Sequence, residues 1–482
     1  MSEQSLKDKT AKGLLWGGIS NGAQQLLNLI FGIFLARLLT PADYGMVGML
    51  TIFSLIANAL QESGFISALN QKSEATHRDF NAVFWFNVLC SSAIYIILYF
   101  CAPLIALWFR QPELTPLARL SFLTFVISSF GTSPRAYLFR NLRVKETAYM
   151  SFAALVVSGI TGVTLACLGF AYWGIAIQSL TYCLCMTVTA WYFSGWRPTL
   201  HIDFSPLKGM LWFSSKLLIT NIFTHINNNL FSLFFGRLYG EKMVGYYNQA
   251  NKWTGMGYTT LTGMLWSVVQ PVFARLADDS RERQCRAFRK MLRFTAFLSC
   301  PALFGLALIA PEFIVIAITD KWLPAARLMQ VLCVGGAFMP VASVFSNFVI
   351  GRGRSDVYMW STIALCLLQT LLLVLLHPYG VEAMVWAYVV LNTLWIGVWY
   401  RYVRGMTGLK FIDLLKDLLP FVCLAAAAVT GGGAAAMALA GGTLASLCIK
   451  IAVTAGIYLG TLWLLKAAIL RESLEYLLHK KK

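Results

Sequence analysis

The chain has 482 residues, 58% of them hydrophobic and 12% charged, and a mean hydropathy of +0.65. A soluble core cannot use that much apolar surface, so composition excludes a soluble globular protein and predicts an all-α polytopic membrane protein. The net charge of +18 could attract nucleic acid, but the basic residues follow the asymmetry that a membrane imposes, and no nucleic acid is expected as a partner.

Apolar stretches of about 20 residues recur along almost the whole length, and about fourteen can be drawn as transmembrane helices. The first, 13–39, follows a polar, basic leader (MSEQSLKDKTAK) and is too long for a signal-peptide core, so it is read as a retained helix. Five more follow at 45–69, 80–109, 114–138, 148–168 and 172–193. A second set of six runs 207–236, 244–276, 288–317, 323–350, 357–376 and 381–402, and a pair at 414–439 and 444–469 closes the chain. The links are short and leave no room for a soluble domain. The tail RESLEYLLHKKK sets Leu474, Leu477 and Leu478 at helical spacing beside three Lys and is expected to lie on the inner leaflet.

The chain also repeats itself. A shift of 200 positions, without a gap, lays Asn21, Asn28, Phe31, Phe34, Arg37, Leu38 and Gly45 on Asn221, Asn228, Phe231, Phe234, Arg237, Leu238 and Gly245. A shift of 209 lays Arg143, Lys145, Tyr149 and Met150 on Arg352, Arg354, Tyr358 and Met359. Two copies of a six-helix unit account for both. The expected organisation is therefore a bundle at 1–200, its pseudo-symmetric repeat at 201–405, and an appended helix pair with a basic tail at 406–482. An even number of helices per unit gives the halves one orientation, with the natural substrate path in the cleft between them.

With the N-terminus placed inside, 29 of the 39 Lys and Arg fall on the inner side and seven on the outer, which places both termini in the cytoplasm. Seven of the inner cations lie in the run RLADDSRERQCRAFRKMLRF, where attraction to anionic lipid heads explains them. The eleven Cys sit in apolar runs and the five His are scattered, so neither a disulfide framework nor a metal site is expected, and no cofactor is implied. Prolines punctuate several spans, at Pro103, Pro134, Pro271, Pro301, Pro340 and Pro420; static kinks are the plainer reading, bends for a rocking transporter the other.

Asn221, Thr224, His225, Asn228 and Ser232 share one arc of a helix whose other faces are apolar. Such a stripe either locks helices together through amide hydrogen bonds or lines a wet cavity; its repetition favours the cavity. Charges inside spans are costly and are functional candidates by default: Glu62, Lys216, Lys252 and Lys450, with Arg37, Arg119 and Arg237 near the outer ends. Cations outnumber the one acid, which suits an anionic group such as a pyrophosphate. The bland alternatives are snorkelling for Lys216, interface anchoring for Lys252 beside Trp253, and capping of their own helix ends by Arg37 and Arg237. No phosphate loop, HExxH or nucleophile with a base argues for an enzyme.

The segment FLARLLTPADYGMVGM, and its counterpart GRLYGEKMVGYYNQANK, resemble the signature of the polysaccharide transporter branch of the multidrug/oligosaccharidyl-lipid/polysaccharide exporter superfamily. The resemblance covers the whole chain. It implies a Wzx-type flippase, working by alternating access, that carries an undecaprenyl-pyrophosphate-linked oligosaccharide across the bacterial inner membrane for O-antigen, capsule or exopolysaccharide synthesis. Membrane lipids and polysaccharide assembly proteins are its implied partners. On that reading Lys216, Lys252, Arg37 and Arg237 hold the anion. Asn21, Gln25, Asn28, Asn221, His225 and Asn228 meet sugar or water, and Glu62 is either a coupling acid or a helix lock. A drug-efflux exporter of the same superfamily and a membrane transferase on lipid-linked sugars stay open as alternatives.

Overall fold

A computed structural model of the chain describes residues 22–62, 69, 75–141, 143–200, 202–275, 280–439, 441–467 and 469–470; at 60–62, 206, 208–221, 264–272 and 274–275 it describes the course of the chain and not the side chains. All regular structure among the described residues is helical, as expected. The helices are α1 (Gly22–Leu38), α2 (Pro41–Glu62), α3 (His77–Phe109), α4 (Leu114–Arg140), α5 (Val144–Cys167), α6 (Tyr172–Ser194), α7 (Lys208–Leu238) and α8 (Glu241–Arg275). They continue as α9 (Arg281–Ile318), α10 (Leu323–Gly336), α11 (Met339–Gly351), α12 (Ser355–Leu376), α13 (Val381–Thr407), α14 (Phe411–Leu439) and α15 (Thr443–Leu464). Eleven segments among the described residues are long and apolar enough to cross a membrane.

The expected span 323–350 is two helices, α10 and α11, that part at Ala337 and Phe338. Pro340, in the first turn of α11, has no N–H to continue the α10 ladder. Other starts lie earlier than hydropathy places them, because polar caps belong to the helix although they are not apolar. The link LLTPADYG shows this: Thr40 N and Oγ1 both donate to Asp43 Oδ2, at 2.8 and 2.6 Å, and Asp43 N donates back to Thr40 Oγ1 at 3.3 Å. That reciprocal box, with Pro41 in the first helical position, starts α2 four residues before Gly45. Thr76 and Asp79 build the same box at α3.

The chain forms two compact units, Met1–Gly245 and Tyr246–Lys482, which part inside α8. In the first, α4 packs between α3 and α6, α5 lies on α6, and α2 lies against α7. Phe80, Val83, Phe84 and Trp196 form a buried cluster where α3 begins, and the α6–α7 link is strapped onto it. Thr199 N donates to Asn81 Oδ1 (2.9 Å), Trp85 Nε1 to Thr199 O (2.8 Å), and Arg78 pairs with Asp203. The second unit is built around α9, which packs on α10, α11, α14 and α15 and buries Phe288 among Phe273, Phe345 and Phe348. At about 1.5 Å per residue α9 is near 57 Å long, well beyond the ~30 Å core of a bilayer, so its basic first turns project past the apolar layer.

Three span prolines act as docking points between helices. A helical proline strips the carbonyl four residues back of its donor. Pro103 frees Tyr99 O, which accepts from Arg119 Nε (3.4 Å), with that guanidinium 4.2 Å from the centre of the Tyr99 ring. Pro134 frees Phe130 O, which accepts from Trp191 Nε1 (2.8 Å). Pro301 frees Phe297 O, which accepts from the Tyr458 hydroxyl (2.9 Å). Each orphaned carbonyl in apolar surroundings thus receives a donor from another helix, which favours the static reading of these three sites.

Candidate functional site

The repeated Asn21–Gly45 stretch ends on a close crossing within the first unit. A Cβ on Gly45 would overlap the carbonyl of Glu241, and one on Gly245 would overlap the carbonyl of Pro41. These are equivalent positions under the 200-residue shift, so the first turns of α2 and α8 touch reciprocally, backbone on backbone. Gln111 Nε2 donates to Glu241 Oε2 (2.7 Å) beside them. Only glycine at both positions permits that approach.

The polar candidates fall as follows. Gln25 and Asn28 are exposed on α1, and Asn21 lies outside the described residues. On α7, His225 is half-buried and Asn228 exposed, while Asn229 Nδ2 folds back onto His225 O (2.9 Å) and Asn227 Oδ1 is buried without a protein partner. Lys216 and Asn221 lie on α7 and Glu62 on α2, each within the stretches of which the side chains are not described. In the second unit, α8 buries Gln249, and neither its amide oxygen nor its nitrogen has a protein partner; the Trp253 indole nitrogen is in the same state. Buried amides of this kind take water or ligand.

Most cations near helix ends prove structural. Arg237 does not cap α7, as expected of it, but α3: Nη1 donates to Trp108 O (2.8 Å), with the guanidinium 5.3 Å from the centre of the Trp108 ring. Crossing helices put that carbonyl nearer than those of its own last turn. Arg143 does the same for α6 through Phe193 O (2.8 Å). Arg37 is exposed at the end of α1. The count of one acid within spans needs correction, since Glu312 lies in α9 and Asp417 in α14, inside stretches that hydropathy had drawn as apolar. Lys450 Nζ sits 2.5 Å from Glu312 Oε1, which also accepts from Ser446 Oγ (2.9 Å). Asp417, 3% exposed, takes a bidentate pair from Arg289 (2.6 and 3.1 Å). Lys252 differs: it is exposed on α8, its ammonium lies 5.6 Å from the centre of the Trp253 ring, and no carboxylate pairs with it among the described residues.

Between α9 and α15 runs a groove of about 390 Å³, apolar along nearly all its wall (Phe297, Pro301, Gly305, Ile309, Ile451, Leu459), with Lys450, the partner of Glu312, also in its lining.

Residues 34–327 match the family model described as "Polysaccharide biosynthesis protein". The chain belongs to that family. Among relatives of this polysaccharide biosynthesis protein, the lipopolysaccharide biosynthesis protein WzxC of Escherichia coli (strain K12) is 24% identical over 359 residues, 73% of this chain and 72% of its own. The teichuronic acid biosynthesis protein TuaB of Bacillus subtilis (strain 168) is 24% identical over 440 residues, 89% of each chain. In fold, it is similar to the lipid II flippase MurJ in an inward closed conformation, with a TM-score of 0.74 at 14% identity over 92% of this chain and 97% of that one. It is thus a multi-pass membrane protein whose helical fold is similar to that of this flippase. The family match ends at Arg327 in α10, so the α9/α15 groove takes one wall from inside the matched region and the other from beyond it.

Proposed function

We propose that this polysaccharide biosynthesis protein is a flippase that moves an undecaprenyl-pyrophosphate-linked oligosaccharide from the cytoplasmic to the outer face of a bacterial inner membrane, with both termini in the cytoplasm. The observation that carries the reading is the family match over residues 34–327, joined by relatives named for the synthesis of two different surface polymers. The residues suit such a cargo part by part. A prenyl tail stays in hydrocarbon, and the α9/α15 groove offers it an apolar wall. A pyrophosphate needs a cation with no carboxylate already bound, and Lys252 supplies one. Sugar hydroxyls need amides and aromatic faces, which His225, Asn228, Gln249 and Trp253 provide. In this scheme Gln25, Asn28 and Asn221 extend the amide surface, Lys216 adds charge, and Glu62 answers a coupling ion. Polysaccharide assembly proteins receive the product.

The test is reconstitution of the full chain into vesicles holding a fluorescent undecaprenyl-pyrophosphate-linked oligosaccharide, with access of the glycan to an impermeant glycosidase as the readout. Translocation that needs the chain and leaves the cargo chemically unchanged is expected. Cleavage or joining of glycosidic bonds by the chain itself, or no transfer at all, would overturn the reading.

A further inference from the structure

We infer that Arg135 of α4 is a phosphate-anion contact in the first unit, and that its ligand in the working protein is the pyrophosphate of the cargo proposed above; the inference rests on that reading. Arg135 lies within the helix, five residues before its end at Arg140. A basic side chain so near a helix end ordinarily snorkels outward to the headgroups. Arg135 turns the other way. Its Nε approaches Gly131 O (3.2 Å) and its Nη2 approaches Ser128 O (3.4 Å), which carries the guanidinium back along α4, into the depth of the span. Gly131 and Ser128 lie nine and twelve residues before Arg140, so the charge sits roughly 14–18 Å from that end at ~1.5 Å per residue, near the middle of a helix about 40 Å long.

No carboxylate meets it there among the described residues, and both carbonyls it touches belong to its own helix. Of the other cations close to spans, Arg119 and Arg237 rest on carbonyls of α3, Arg143 on α6, Lys450 on Glu312 and Arg289 on Asp417, while Lys252 of the second unit lies over Trp253. A guanidinium has five N–H groups in a planar fork, so three of Arg135's have no acceptor among the described residues. Two oxygens of a phosphate match that fork. The site is also held in shape, because Pro134, the preceding residue, gives its freed carbonyl to Trp191 of α6 and Gly131 lies tight against Thr187 of the same helix. In the proposed orientation this is the cytoplasmic half of the first unit, where a headgroup entering from the inner leaflet would be met.

The same chemistry could come from an anionic phospholipid head, and the experiment separates the two. Full-length chain in detergent is titrated with geranylgeranyl pyrophosphate, geranylgeranyl monophosphate and geranylgeraniol, for the wild type, Arg135→Gln and Arg135→Lys; vesicle translocation is measured with and without phosphatidylglycerol. We expect Arg135→Gln to weaken pyrophosphate binding about tenfold or more while leaving geranylgeraniol unchanged, Arg135→Lys to recover part of the loss, and the transport defect to persist in vesicles of phosphatidylcholine alone. Equal pyrophosphate binding by wild type and Arg135→Gln, with unaltered melting, would overturn the inference and leave the flippase reading standing. A defect seen only when phosphatidylglycerol is present would assign Arg135 to lipid and overturn it equally. Wild-type chain that neither binds the pyrophosphate nor translocates the glycan would remove both.

Discussion

Replacing Gly45 by Ala tests whether the α2/α8 crossing is a permanent joint or one that opens. The new Cβ would overlap a backbone carbonyl, which cannot swing aside as a side chain does, so the two first turns must separate by more than an ångström. Overpacking of this kind costs about 1–3 kcal/mol. If the contact exists in only one transport state, a cost of about 2 kcal/mol falls on that state alone, and at about 1.4 kcal/mol per decade it shifts the population by about 30-fold. Nitroxides at Leu38 and Lys242, both exposed, would report the distance across the crossing once exposed Cys167, Cys423 and Cys448 are replaced. The expected result for Gly45→Ala, and equally for Gly245→Ala, is a distance distribution moved to the longer population with glycan transport cut severalfold. Wild-type distances and wild-type transport in both variants would refute the reasoning, and a lower melting temperature with no change in distances would show the joint to be fixed.

Tyr458→Phe should cost about 1 kcal/mol in the melting of the full chain and Pro301→Ala should make that loss vanish, because the repaired α9 ladder then satisfies Phe297 O itself; additive effects would deny the coupling. Lys450→Ala should lower yield and stability by leaving Glu312 uncompensated, and the paired change Lys450→Met with Glu312→Leu should restore both; a melt as low for the double variant as for the single one would mean the pair has a further role. Lys252→Ala should reduce transport in vesicles with melting unchanged, a split that equal effects on both would contradict. The carboxyl of Asp203 is held down to about 2 by the Ser205 amide and hydroxyl and then by Arg78. A lowered carboxyl stabilises above its ordinary value of 3.8 and loses that contribution as pH falls from there toward 2, so the α6–α7 strap should hold at neutral pH and loosen only in strong acid; hydrogen exchange at 196–205 that rises already near pH 6 would show another group in control.

What was legible in sequence follows from which forces are local. Spans could be drawn because a bilayer demands about 20 apolar residues in a row, and a demand of that length shows in any window. The start of α2 was equally readable, since Thr40-Pro41-x-Asp43 is a complete cap within four residues, although hydropathy alone placed it later. Repetition pointed at Gly45 and Gly245, but the reason lay in carbonyls far along the chain, Glu241 at 196 residues from Gly45 and Pro41 at 204 from Gly245. The partners of Lys450 and Arg237 lie 138 and 129 residues off along the chain, beyond any periodicity. Glu312 was hidden by its apolar neighbours, because a hydropathy window averages one acid away.

The two kinds of cation bear on how the protein can work. A basic residue already holding a carboxylate can bind a travelling anion only by giving up that partner, and in low dielectric the abandoned carboxylate would sit uncompensated at a cost of about 3–5 kcal/mol. Lys450 and Arg289 are in that position, so they serve better as rivets between α9 and the α14–α15 pair than as carriers. A cation resting on an aromatic face or on carbonyls of its own helix gives up about 1 kcal/mol or less when an anion arrives, and returns to the same rest when it leaves. Lys252 over Trp253 meets that condition in the second unit. Substituting the riveted cations should therefore show first in folding, and substituting Lys252 should show first in turnover, a division that measured expression and transport in parallel would either display or erase.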